Sequence, residues 1–280
     1  MRNFLKLFFV FLFSIFLISC TSNSKKQIDF VLNPWVGYTP FFYMYEKGWL
    51  DSDDIHIIPV TSLSESVKLF ESGKANLIGA TQQELKHLSH TADVSPFMLL
   101  DRSNGADAIF SNISLEKLKV LTTPVNVLLE LNSVNELLFD LFVKKNGLDI
   151  SNFRLINTDQ LSISRKILLE EPTILVTYEP YLSDIAENGY SIIADSNDEG
   201  LYILDILIID SRMKSLYADE LAALQSNFYK ALKVLEADPK EYYETVKMYL
   251  DGQSYEEFLE SLDGIKWMSQ KDQKLLEKID

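Results

Sequence analysis

The sequence predicts an α/β fold, and three observations carry that prediction. From residue 28 onward short apolar runs alternate with amphipathic stretches, the order in which strands and the helices packed on them follow one another. Three segments begin with Ser or Thr followed three residues later by Glu, which marks helix starts between those runs. Of the 280 residues 47% are hydrophobic and 24% are charged, the proportions of an ordinary folded chain long enough to bury a sizeable core.

The chain opens with an address. Arg2 and Lys6 precede the apolar run 7–18, in which Ser14 is the one polar residue, and this charged-then-apolar order is that of a secretory signal. The run is too short to span a bilayer comfortably. It ends in Leu17, Ile18, Ser19 and Cys20, which resembles the bacterial lipobox, where the cysteine is lipidated and becomes the new amino terminus. The expectation is therefore a signal peptide over 1–19 and a lipidated polar tether over 20–27. Cleavage there removes two of the 26 basic residues and none of the 41 acidic ones, taking the net charge from −15 to −17. No later segment has eighteen uninterrupted apolar residues, so the remainder reads as a soluble domain held at a membrane surface by acyl chains.

Strands are predicted at 28–32, 55–60, 76–79 and 97–100, with helices between them at 40–48, 64–72 and 82–88. Ser62 with Glu65 and Thr81 with Glu84 have the spacing of reciprocal helix caps, and Ser133 with Glu136 is the third such pair. The third opens the pattern Val134, Leu137, Leu138, Leu141, Phe142, one apolar helix face. Further strands are expected at 125–131, 153–156, 173–177, 191–193 and 202–209, after which the chain reads as almost wholly helical.

Composition excludes several functions. An excess of acid this large opposes nucleic-acid binding, which needs clustered Lys and Arg. One cysteine makes no internal disulfide, thiolate metal cluster or CxxC pair. GxGxxG, GxxxxGKS and GxSxG spacings are absent, so no dinucleotide cradle or nucleophile elbow is evident, and the expectation is a non-enzyme without cofactor or bound metal. His87 and His90 lie on a helix without an HExxH pattern, and His56 lies in an apolar strand.

What remains is a set of candidate binding residues. Asn33, Trp35 and Tyr38 lie on a strand-to-helix loop, where α/β sheets keep their ligand crevice. The 79–82 loop, with Thr81 and Gln82, and the 132–135 loop, with Ser133, each end in a capped helix start that favours an anionic or carbonyl-like group. Thr177, Tyr178 and Glu179 stand where a strand gives way to a helix that Pro180 can begin. Asp205 is isolated in an apolar strand, where a carboxylate is costly unless a cation or donors meet it.

With these segments in view the chain resembles the solute-binding proteins of NitT/TauT-type ABC importers, the nitrate, sulfonate, taurine and thiamine-pyrimidine group. The resemblance rests on Asn33, Trp35, Gly37, Tyr38 and Pro40, on Asp101 to Asp107 as DRSNGAD, on VTYEPYLS at 176–183 and on LDILI at 204–208. It departs from the family pattern at 119–124 and at Asn132 and Ser133. The resemblance implies a two-lobed periplasmic-binding-protein fold, type II-like, with lobe one at 28–103 and 205–280 and lobe two at 104–204. Two hinge crossings, near Asn104 and near Asp205, would join them. It also implies a lipid-anchored monomer outside the cytoplasmic membrane that hands a small-molecule solute to permease and ATPase subunits. A ligand sensor docking on a signalling receptor is the alternative reading, and a pyrimidine-synthesis-type enzyme is a third, opposed by the lone Cys20, since such relatives use a cysteine-rich motif. The acidic pair Glu179 and Asp205 and the flat faces of Trp35, Tyr38 and Tyr178 point to an amine-bearing organic solute, taurine-like or an aminopyrimidine.

Overall fold

The computed structural model describes residues 27–50, 54–166, 169–197 and 202–279; the expected signal and lipidation site lie outside them. Two sheets organise the chain. The first holds six strands in the order β11-β4-β10-β3-β1-β2, with β1 (Ile28–Leu32), β2 (Ile55–Pro59), β3 (Leu77–Thr81), β4 (Val94–Ser103), β10 (Leu204–Asp210) and β11 (Ile265–Trp267). The second holds five in the order β7-β6-β8-β5-β9, with β5 (Asp107–Ser111), β6 (Val125–Leu129), β7 (Phe153–Asn157), β8 (Thr173–Tyr178) and β9 (Ser191–Asp195). The chain leaves the first sheet after β4 and returns to it at β10, which makes the first lobe discontinuous in sequence.

Parallel pairing follows the helical crossovers. β1 pairs in parallel with β2 and β3, separated by α1 (Thr39–Glu46) and α2 (Leu63–Glu71), and α3 (Gln82–Leu88) packs beyond β3. In the second sheet β6 pairs in parallel with β7 and β8, and α5 (Val134–Asn146) covers it after the shorter α4 (Leu115–Val120). The inner strands β1, β3, β6 and β8 are covered on both faces, which explains why they read as continuous apolar runs, whereas the edge strands expose His56 of β2 and Arg154 of β7. Phe30, Leu77 and Leu207 pack with α1 and with Phe228 and Tyr242 of the carboxyl-terminal helices α9 (Ala218–Ala237) and α10 (Pro239–Val246), which follow the short α8 (Ser211–Leu216).

Several expectations shift. β5 and β11 are not among the predicted strands: β5 is five wholly buried residues without alternation, and β11 is only three residues, paired with Ser103 to Asp101 of β4. The helical carboxyl-terminal stretch is thus interrupted by a strand. The Ser133 cap is half of the expected pair: its Oγ accepts from Asn135 N at 3.1 Å, while Glu136 Oε2 accepts from Asn132 N instead. Ser62 likewise accepts from Glu65 N, whereas Glu65 accepts from Thr61 N. Thr81 and Glu84 do form the reciprocal box. Pro180 does not begin a helix; it follows a cis peptide bond, and α7 (Leu182–Glu187) starts two residues later, with α6 (Gln160–Ser164) preceding it.

Candidate ligand site between the two sheets

Register and direction bring the site together. β10 runs antiparallel to both neighbours, so its first residues lie against the last residues of β3 and β4: Asp205 stands opposite Thr81 on one side and Asp101 on the other. In the second sheet Asp107, at the start of β5, stands opposite Tyr178 at the end of β8. The carboxyl ends of the parallel strands therefore meet the first residues of the antiparallel ones, the position of ligand crevices in open α/β sheets.

Between them lies a cavity of about 20 Å³ lined by Asn33, Trp35, Tyr38, Leu63, Thr81, Asp107, Val134, Tyr178, Ile203 and Asp205. That volume holds roughly one water molecule, so the lobes are shut. Asn33 Nδ2 donates to the Tyr178 hydroxyl across the gap at 3.2 Å, and that hydroxyl donates to Glu130 Oε2 at 3.4 Å. Trp35 meets Tyr178 edge to face, with ring centroids 6.0 Å apart. Gln253 Nε2 donates to Glu179 Oε2 at 3.2 Å, a further link from the first lobe to the second.

Charge is the unusual feature. Glu84, Asp101, Asp107, Glu130, Glu179 and Asp205 are all buried, and among the described residues no Lys or Arg side chain is buried with them. Burial pushes the Asp107 carboxyl up to about 7, the nearby Glu84 charge adding and a hydrogen bond from Ser103 opposing. Burial likewise pushes Glu130 up to about 7. Asp101 and Asp205 are also raised, by burial first and then by neighbouring carboxylates, because facing acids cannot both ionise cheaply without a cation. Tyr38 donates its hydroxyl to Asp205 Oδ1 at 3.2 Å. Asp107 Oδ2 and Asn33 Oδ1 line the same cavity, are buried, and have no hydrogen-bond partner. These two unpartnered acceptors are suited to a positively charged N–H group, and the indole Nε1 of Trp35, also buried and without a partner, leaves one donor free for an acceptor atom on the same molecule.

The structure brings Asn33, Trp35, Tyr38, Thr81, Tyr178 and Asp205 to the cavity and leaves the other candidate residues elsewhere. Gln82 Nε2 donates to Tyr202 O and its Oε1 accepts from Leu204 N, holding the entry to β10. Asn104 accepts from Arg102 Nη2 at 3.1 Å, at the crossing between sheets. Ser133 donates to Glu130 O at 2.7 Å as well as capping α5. Thr177 is enclosed within β8. Glu179 is held by Gln253 away from the cavity, and burial pushes it up to about 8. The acidic pair expected from the sequence is thus replaced by Asp205 with Asp101 and Asp107. Those two aspartates open and close the DRSNGAD segment, and that segment was the signal for them. Glu84 gave no signal beyond its helix cap, and Glu130 gave none.

No family model and no curated protein sequence matches the chain. Solved structures do match its fold. An alkanesulfonate-binding protein, SsuA from Xanthomonas axonopodis pv. citri bound to MOPS, is similar with a TM-score of 0.71 at 13% identity, over 90% of each chain. The periplasmic aliphatic sulphonate-binding protein SsuA from Escherichia coli gives 0.69 at 11% identity, again over 90% of each. The periplasmic nitrate-binding protein NrtA from Synechocystis gives 0.64 at 10% identity, covering 82% of this chain and 68% of that one. These are structures of the importer group that the sequence segments resemble. By architecture, topology and these likenesses the chain has the two-lobed periplasmic-binding-protein fold.

Proposed function

We propose that the chain is the solute-binding component of a NitT/TauT-type ABC importer, anchored outside a bacterial cytoplasmic membrane through lipidated Cys20. It captures a small amine-bearing organic solute between a lobe of residues 28–103 and 205–280 and a lobe of residues 104–204, then delivers it to permease and ATPase subunits as a monomer. The observation that carries the solute class is the cavity in which Asp107 Oδ2 and Asn33 Oδ1 lack partners beside Asp205, with no buried cation among the described residues. An ammonium or protonated ring nitrogen supplies both the charge and the donors. An organic cation suits the site better than a metal ion, because among the described residues no three His, Cys, Asp or Glu side chains are grouped to hold one. Entry requires the lobes to part about the crossings near Asn104 and Asp205, since the shut cavity admits little more than water.

Calorimetry on a panel of alkylammonium ions, an aminopyrimidine, taurine and nitrate tests this, with wild type and Asp205→Asn. Amine binding by the wild type is expected to weaken by about 2 to 5 kcal/mol in the variant, the cost of leaving one member of a buried charge pair alone. Small-angle scattering should show a smaller radius of gyration with amine than without. Preference for nitrate, or amine binding indifferent to Asp205→Asn, would overturn the reading.

A further inference from the structure

The two features expected to receive an acidic solute group, the 79–82 loop and the amino terminus of α5, both donate to one internal carboxylate. Glu84 is 1% exposed. Its Oε1 accepts from Val134 N, the first amide of α5, at 2.9 Å, and its Oε2 accepts from Thr81 N at 3.0 Å and from the Thr81 hydroxyl. The second amide of α5, on Asn135, is taken by Ser133 Oγ. A thirteen-residue helix directs its positive end at this point, and free amides there attract anions. A carboxyl group already occupies that end, and it comes from the opposite lobe; burial raises its pKa, and the hydrogen bonds from Thr81 and Val134 oppose that rise by favouring the carboxylate. Beside it a cavity of about 110 Å³, lined by Lys68, Glu71, His87, Asn132 and Ser133 among others, reaches Glu84 and leaves a small anion a way in.

We propose that Glu84 is a built-in anion: its carboxylate fills the place an acidic group of a solute would take, and so restricts the closed protein to solutes that lack one. The inference rests on the reading of the interlobe cavity as a solute site and sharpens it, since an amine without an acidic group then suits the site and taurine, with its sulfonate, does not. The same carboxylate joins the lobes only when they are shut, because Thr81 and Val134 belong to different sheets' connections.

Glu84→Ala removes the atoms of an acetate ion and tests this by replacement. Thermal unfolding of the purified protein is followed during titration with sodium acetate and sodium methanesulfonate, ionic strength being held with sodium chloride. The variant is expected to show saturable stabilisation, with a half-saturating concentration at least about tenfold below any seen for the wild type, the scale of a helix-terminus contribution. Should Glu84→Ala not fold in chloride, recovery of folded protein on refolding in acetate supports the inference, and no recovery in either salt overturns it. Saturable stabilisation of the wild type by methanesulfonate, or a folded variant that ignores both anions, also overturns it. Alkylammonium binding is measured on the wild type alongside: its absence, with the anion gain intact in Glu84→Ala, would remove the amine reading and leave Glu84 as the anion filter.

Discussion

Replacing Asp107 with asparagine should make the solute-free protein more stable at pH 8 and weaken its binding of solute, two effects of opposite sign from one carboxyl group. Asp107 is 3% exposed, its Oδ2 has no partner, and its carboxyl is pushed up to about 7 from the 3.8 of an exposed aspartate. The folded chain therefore holds a proton that the unfolded chain has released throughout the window from about pH 4 to pH 7. Stability contributed by that proton is complete below the unfolded value and is lost as the pH rises through 7. The distance between the two values corresponds to roughly 4 kcal/mol. Asparagine has no proton to lose, so Asp107→Asn should escape this part of the decline. At pH 8 its melting midpoint should exceed that of the wild type by roughly 10 °C, given about 2 to 4 °C per kcal/mol for a chain of this size, and the advantage should vanish near pH 4. Glu130 and Glu179 titrate in both proteins and cancel in the comparison. The assay is thermal unfolding by circular dichroism from pH 4 to pH 8, paired with calorimetric titration of an alkylammonium ion, whose affinity should fall by about 2 kcal/mol or more. Equal loss of melting temperature in the two proteins across this range would refute the argument that Asp107 is buried without a compensating charge.

Gly79→Ala should destabilise the chain by about 1 to 3 kcal/mol, because an added Cβ in β3 lies 2.7 Å from Tyr38 Cζ and 2.8 Å from Leu32 Cδ2 and must push both; an unchanged midpoint in denaturant would show that this contact can relax. Mass spectrometry of the natural protein should find the amino terminus at a lipidated Cys20, and Cys20→Ala should leave the membrane fraction. A Cys20→Ala protein that still sediments with membranes would end the anchor reading.

The alternation of apolar and amphipathic segments determined the α/β class by itself, since period and run length are local properties that a strand or helix must satisfy wherever it packs. The local caps at Ser62 and Thr81 were legible for the same reason, as was the 33–38 loop, whose place after a strand and before a helix fixes it at the carboxyl edge of a sheet. The short strands β5 and β11 were not: β5 is enclosed between β8 and β9 and so shows no alternation, and β11 is three residues that follow the edge of β4. The site divides along the same line. Asp205 stood out as a lone charge among Ile and Leu, but its partners are residues roughly a hundred positions away, and only antiparallel pairing of β10 with β4 sets Asp101 opposite it. Glu179 reads as strongly in sequence as Asp205 does, yet Gln253 draws it off, and Glu84 reads as nothing more than a helix cap until α5 presents Val134 N to it. A carboxylate's role depends on which donors and charges surround it within a few ångströms, and here the chain's return into the first sheet, not any neighbour in sequence, supplies them.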